Sequence, residues 1–129
     1  MREILFRGKR KDNGEWVEGD LRQDKDIGTS YISGYDYYTS GEGLQRDPFE
    51  CEVIPESVGQ YTGLTDENGT KIFEGDVVNI LTENNKIGIV KYDEGGFGVE
   101  ADGFVIDFRQ NIDGTDVEVI GNIYDDQNC

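Results

Sequence analysis

The chain has no histidine. That removes imidazole as a general base, as a member of a Ser-His-Asp triad and as a metal ligand. Cysteine is nearly absent too. Cys51 and Cys129 are too far apart in sequence for a Cys-X-X-Cys redox or zinc motif, and two such residues are no disulfide framework. Cys51 stands in the alternating run Phe49-Glu50-Cys51-Glu52-Val53, where a small buried apolar residue is expected. Basic residues are outnumbered, 12 Lys and Arg against 28 Asp and Glu, which leaves a net charge of −16. Such a surface repels phosphate backbones, so nucleic acid is disfavoured as a partner. Long apolar runs are missing. The start, Met1-Arg2-Glu3-Ile4-Leu5-Phe6-Arg7, does not read as a signal peptide, and no window approaches the roughly 18 apolar residues of a membrane span. The expectation is a soluble, cytoplasmic chain with no membrane contact. No Walker loop or Rossmann glycine pattern is present, so no cofactor is expected and the chain does not read as an enzyme.

What is there points to many short strands. Glycine is abundant at 18 residues while proline numbers 2, which favours tight turns over disorder. Charge is uneven: residues 1–52 carry 8 basic and 12 acidic side chains, residues 53–129 carry 4 and 16. The one basic run is Arg7, Lys9, Arg10 and Lys11. A solvated strand and turn is the favoured reading over a nucleic-acid patch, with Arg7 and Lys9 as candidate partner contacts.

Apolar alternation is short everywhere and is punctuated by Gly or Asn-Gly. Arg2–Gly8 and Glu15–Leu21 read as strands around an Asp12-Asn13-Gly14 turn. Arg22–Ser30 reads as a polar loop, Tyr31–Tyr38 as an aromatic strand, Thr39–Asp47 as a mobile stretch and Phe49–Ile54 as a strand. Ile54-Pro55-Glu56-Ser57-Val58 fits one helical turn. Gln60–Leu64 is extended, Asn68-Gly69 turns, and Lys71–Leu81 continues as strand. After a turn at Glu83–Lys86 come strands at Ile87–Tyr92, Phe97–Glu100, Phe104–Ile106 and Val117–Tyr124, with one helical turn expected over Asp107–Ile112.

Acidic residues are the plentiful reactive groups. The Glu18/Asp20 and Glu74/Asp76 pairs share a one-residue gap that places both carboxylates on one strand face. Paired carboxylates can hold a metal or perform acid–base work, but an Asp after Gly more often caps a turn. Asp66-Glu67-Asn68-Gly69 is only faintly similar to a calcium loop; a surface turn is favoured. The two Glu-Gly-Asp segments, each following an Asn-Gly turn, form an internal echo that reads as two hairpins built alike. Among the aromatics, Tyr35 and Tyr37 on one strand face are the best candidates for an exposed patch.

The segment Val53-Ile54-Pro55-Glu56-Ser57-Val58-Gly59-Gln60-Tyr61-Thr62-Gly63-Leu64, followed by Ile72-Phe73-Glu74-Gly75-Asp76-Val77-Val78, resembles the YopX family. The opening Phe6-Arg7-Gly8-Lys9, the run Gly14–Leu21 and the closing Ile120-Gly121-Asn122-Ile123-Tyr124 match it as well, and Arg22–Asp47 matches least. The resemblance implies a phage- or prophage-encoded accessory protein, β-rich, prone to self-association and without catalytic residues to carry over. The residues themselves suggest a mainly β fold with very little helix: an SH3-like barrel in residues 53–129 and an added β layer in 1–52. Gly75 ahead of Asp76 would permit the strand bend such a barrel needs. The expected role is a non-enzymatic interaction module that assembles as a homo-oligomer and grips a host or phage protein. The alternatives are a small-barrel nucleic-acid binder and an acidic DNA mimic acting on a host protein.

Overall fold

The computed structural model describes residues 4–82, 86–93, 96–108 and 113–124. Its regular structure is strand throughout, apart from two single 3-10 turns. The protein is mainly β, and the chain divides into two compact units, Ile4–Gly59 and the residues from Gln60 onward.

The first unit carries β1 (Phe6–Lys9), β2 (Trp16–Asp24), β3 (Thr29–Ser40) and β4 (Gly43–Val53), antiparallel in the order β4-β3-β2-β1. The Asn13-Gly14 turn between β1 and β2 forms as its chemistry requires. Gly14 takes φ 73°, and Asn13 Oδ1 accepts the Glu15 N–H at 2.9 Å. Just past β1, Arg10 closes the turn, its N–H donating to the Glu15 carbonyl at 2.8 Å, and also bridges Val53, while the Ile54 N–H donates to the Lys9 carbonyl at 2.8 Å. Pro55–Ser57 is the expected helical turn. Its buried Ser57 hydroxyl accepts the Lys9 N–H at 2.8 Å and donates to the Ile54 carbonyl at 2.6 Å, which ties the end of β1 to the end of β4.

Two tracts that look like loops in the sequence are strand. β2 runs on to Asp24, so the loop after it shrinks to residues 25–28. The polar stretch Thr39–Asp47, expected to be mobile, is the tip of a long β3–β4 hairpin turning at Gly41-Glu42. Cross-strand pairing decides both tracts, overriding their weak local propensity.

The second unit opens with a hairpin, β5 (Gly59–Thr65) against β6 (Lys71–Phe73), turning at Asn68-Gly69 with Gly69 at φ 82°. Strands β7 (Asp76–Ile80), β8 (Lys86–Asp93), β9 (Gly96–Ala101), β10 (Phe104–Asp107) and β11 (Val117–Asn122) form an antiparallel sheet in the order β10-β9-β8-β7-β11. That sheet is open, with β10 and β11 at its ends. Lys71–Leu81 is not one strand. Gly75 takes φ 94° between β6 and β7, and Asp76 Oδ2 accepts the Phe73 N–H at 2.7 Å, closing a turn inside the apolar run. Asp107 ends β10 and does not start a helical turn; residues 109–112 lie outside the described residues. The second 3-10 turn is instead Gly114–Asp116. Arg2 and Glu3, the turn residues 83–85 and Glu94-Gly95 also lie outside them.

The apolar core is concentrated in the second unit. Ile72, Val78, Ile80, Val90, Val99 and Val117 are fully buried and pack with Phe97, Ala101 and Phe108. In the first unit, among the described residues, Ile32 and Val53 are the buried apolar side chains. That unit therefore leans on its backbone ladder more than on a core.

Asp66 is the polar keystone of the second unit. Its Oδ1 accepts the Asn68 and Thr70 N–H groups at 2.9 and 2.8 Å, and its Oδ2 accepts the Val119 N–H at 2.8 Å. One buried carboxylate thus holds the β5–β6 turn and joins it to β11. Burial alone would raise the Asp66 carboxyl, but the N–H groups of Val119, Thr70 and Asn68 outweigh it and hold the group below its ordinary range. A lowered folded value means that Asp66 stabilises the fold above the usual carboxylate range. That contribution is lost as the pH falls through the lowered value. Asp66→Ala is expected to cost about 2–4 kcal/mol in urea unfolding at neutral pH. Asp66→Asn should flatten the loss of stability below about pH 4 relative to the parent chain.

Candidate partner-binding arm

β2 and β3 stay paired only as far as Asp20↔Ser33. β3 and β4 continue as partners from Gly34↔Phe49 to Ser40↔Gly43. These seven pairs form a two-stranded arm, and past Gly34, where an added Cβ would lie 3.7 Å from the Glu18 carbonyl oxygen of β2, no strand runs on the far side of β3 among the described residues. At about 3.4 Å per residue it is some 24 Å long. Every residue from Tyr35 to Ser40 is exposed, as are most of those opposite them on β4. Gly34 marks where the arm leaves the sheet. A Cβ there would lie 3.1 Å from the Phe49 ring, so glycine leaves room for that ring to lie across the strand.

Residues directly opposite in an antiparallel pair share a face. The register therefore sorts the arm into two chemically distinct surfaces. One carries Tyr35, Tyr37 and Thr39 from β3, opposite Pro48, Arg46 and Leu44 from β4. The other carries Asp36 and Tyr38 opposite Asp47 and Gln45. In a chain of net charge −16 the first face holds no carboxylate. The Tyr35 and Tyr37 rings lie 6.5 Å apart, and the Arg46 guanidinium sits 4.3 Å from the Tyr35 centroid. Tyr37 is 63% and Leu44 72% exposed, values for large side chains that meet no core. Pro48 lacks an N–H, and β4 is the outer strand of this hairpin, the position a sheet tolerates for proline.

The four residues singled out as contact candidates separate into two places. Tyr35 and Tyr37 come together on the arm as their spacing implies. Arg7 and Lys9 lie on β1, where Arg7 stacks on Trp16 at 4.9 Å and the Lys9 backbone N–H is held by Ser57. The rest of the basic run is engaged locally. Arg10 makes a two-pronged contact with Asp12 at 3.0 and 2.7 Å, and Lys11 pairs with Glu52 at 3.1 Å. The Arg10–Asp12 hydrogen bond draws the Asp12 carboxyl below its ordinary value. Sequence reasoning missed Leu44 and Arg46 because they fall in the polar tract Thr39–Asp47, and Pro48 because it lies between that tract and the strand read from Phe49. The signal that could have found them is a period-two pattern continuing from Leu44 through Arg46 and Pro48.

The carboxylate pairs do not converge on a reactive centre. Glu18 and Asp20 share an exposed face of β2, whereas Glu74 lies in the turn before β7 and Asp76 is buried. The two Glu-Gly-Asp segments of the internal echo thus have different backbones, one mid-strand and one a tight turn. Both oxygens of Asp66 face backbone N–H groups, so the calcium-like run is a turn lock. Cys51 is a half-buried free thiol opposite Ile32. No helix among the described residues is long and apolar enough to cross a membrane.

An arm this exposed should contribute little to folding. Tyr37→Ser is expected to change urea-unfolding stability by less than about 0.5 kcal/mol. Ile32→Ala, at the fully buried root of the same strand, should cost about 3 kcal/mol.

The family model described as YopX protein matches residues 5–128, essentially the whole chain. Among solved structures, the chain is similar to the crystal structure of protein EF1440 from Enterococcus faecalis. The identity is 22% and the TM-score 0.62, over 98% of this chain and 97% of that one, a likeness of fold. No curated protein matches the sequence. On the family match, which runs from the strand before the first hairpin to the C-terminal segment, the chain belongs to the YopX family.

Proposed function

We infer that this is a non-enzymatic contact protein of phage or prophage origin, working in the cytoplasm, that assembles with itself and grips a host or phage protein through its β arm. The observation that carries the reading is the acid-free face of Tyr35, Tyr37, Leu44, Arg46 and Pro48 on an arm with no core beneath it. Two copies of net charge −16 repel one another, so they approach most easily where carboxylates are missing. Aromatic, Leu and Pro side chains there supply apolar area, and exposed aromatics with an Arg are the residue types that anchor interfaces. The SH3-like reading of the second unit is kept as a proposal. It rests on the β7–β10 meander with β11 returning beside β7, and on the Glu67 N–H donating to the Val117 carbonyl at 3.1 Å. The local pairing of Arg10 and Lys11 weighs against the small-barrel nucleic-acid alternative.

Multi-angle light scattering across a wide concentration range tests the self-association. The parent chain is expected to form an oligomer whose population rises with added salt, because salt screens like-charge repulsion. Tyr35→Ser/Tyr37→Ser should weaken assembly by about tenfold or more with folding unchanged. A monomer at every concentration would remove self-assembly from the reading, and an oligomer indifferent to the double substitution would move it off the arm.

A further inference from the structure

Beyond the acid-free face, the arm offers an unpaired backbone edge. From Tyr35 to Ser40, β3 has β4 on one side and no strand on the other among the described residues, and all six residues are exposed. An open strand edge is a row of free N–H and C=O groups that templates the addition of another strand. Natural edges are blunted by proline, lysine or a bulge. β4 carries Pro48 on its own edge, whereas the β3 segment Tyr35-Asp36-Tyr37-Tyr38-Thr39-Ser40 has no proline and no lysine, and its pairing with β4 is unbroken. Its Tyr and Thr content is what strands favour.

The two faces beside that edge state what an added strand should carry. On one side it would lie against Tyr35 and Tyr37, an aromatic surface without carboxylates. On the other it would lie beside Asp36, which stands directly opposite Asp47. Like charges directly opposite, with Cβ atoms about 5 Å apart, destabilise a hairpin. No ion pair neutralises either one among the described residues. Asp36 and Asp47 together thus leave an uncompensated negative site on this face, and a cation placed beside it would relieve the repulsion. A second copy of the chain brings further negative charge to the same place, so the edge favours a different occupant.

We propose that the β3 edge of the arm, Tyr35–Ser40, binds by strand addition an extended segment of a partner protein that alternates apolar with Lys or Arg residues. The apolar side chains pack beside Tyr35 and Tyr37, and the cations sit beside Asp36, in the field of Asp47 one strand further in. The proposal rests on reading the chain as a contact protein, and it names the chemistry of that contact. Backbone hydrogen bonds supply the attachment, and the alternation of charge fixes which face of the incoming strand points which way.

The test titrates the full chain by calorimetry with synthetic peptides of about nine residues, enough to span the arm. One alternates valine and lysine, one valine and glutamate, and two more are the valine–lysine peptide N-methylated at alternate backbone nitrogens, one in each of the two possible patterns. The valine–lysine peptide is expected to bind, more weakly as salt rises, and to shift the amide resonances of Tyr35, Tyr37 and Thr39. The glutamate peptide should not bind, and one of the two possible N-methylation patterns should abolish binding. Asp36→Asn/Asp47→Asn, which removes a repulsive pair and so keeps the fold, should weaken binding by about tenfold or more. Equal binding to that variant, or to both N-methylated peptides, would mean diffuse attraction to an acidic surface and would overturn the proposal. If no peptide binds while the chain still self-assembles through its tyrosine face, this inference fails and the contact reading stands. If neither occurs, both fail.

Discussion

The structure of the first unit depends on a single mismatch of strand lengths. β3 is twelve residues long, and β2 accompanies it only as far as Ser33. Everything past that point is held by the β3–β4 ladder alone. A two-stranded ribbon has no interior, and in isolation it is marginal in water. The chain nevertheless commits Tyr35, Tyr37, Tyr38 and Leu44 to it, large side chains that would be better used in the thin core around Ile32 and Val53. Residues spent in this way are hard to explain by stability and easy to explain by contact.

The second unit solves the opposite problem. It buries a conventional aliphatic core and keeps its turns in place with carboxylates that accept backbone N–H groups. Asp66 and Asp76 each lock a turn next to a hairpin, one through three N–H groups and the other through the Phe73 N–H. A buried carboxylate is expensive unless its oxygens are satisfied; backbone N–H groups reach both oxygens of Asp66, and the Phe73 N–H reaches Oδ2 of Asp76. In so acidic a chain these two are structural, while Asp36 and Asp47 on the arm have no such partners. The same residue type does different work according to what its oxygens meet.

Much of this was legible in the residues. Asn-Gly marked the β1–β2 and β5–β6 turns, and Gly14 and Gly69 adopt the positive φ that such turns need. Pro55 marked the helical turn, and the i, i+2 spacing placed Tyr35 and Tyr37 on one face. Where the reading went astray, the deciding interaction lies far off in sequence. Thr39–Asp47 is polar because neither face is buried, so it carries no hydrophobic alternation, yet the register set at Ser30↔Val53 carries pairing out to the tip. Lys71–Leu81 is apolar enough to read as one strand. Its break comes from Gly75 at positive φ and from the Asp76 carboxylate reaching back to the Phe73 N–H, and neither shows in periodicity. The Glu74/Asp76 pair was misassigned to one face for the same reason.

Amide hydrogen exchange of the isolated chain, with and without a bound partner strand, tests the central claim most directly: the arm is folded backbone that waits for a neighbour. The account requires the amides of 35–48 to exchange far faster than those of Ile32 and Val53 in the free chain, and to become protected when a partner binds. Arm amides already as protected as the buried roots of the same strands, in a chain shown to be monomeric, would contradict it.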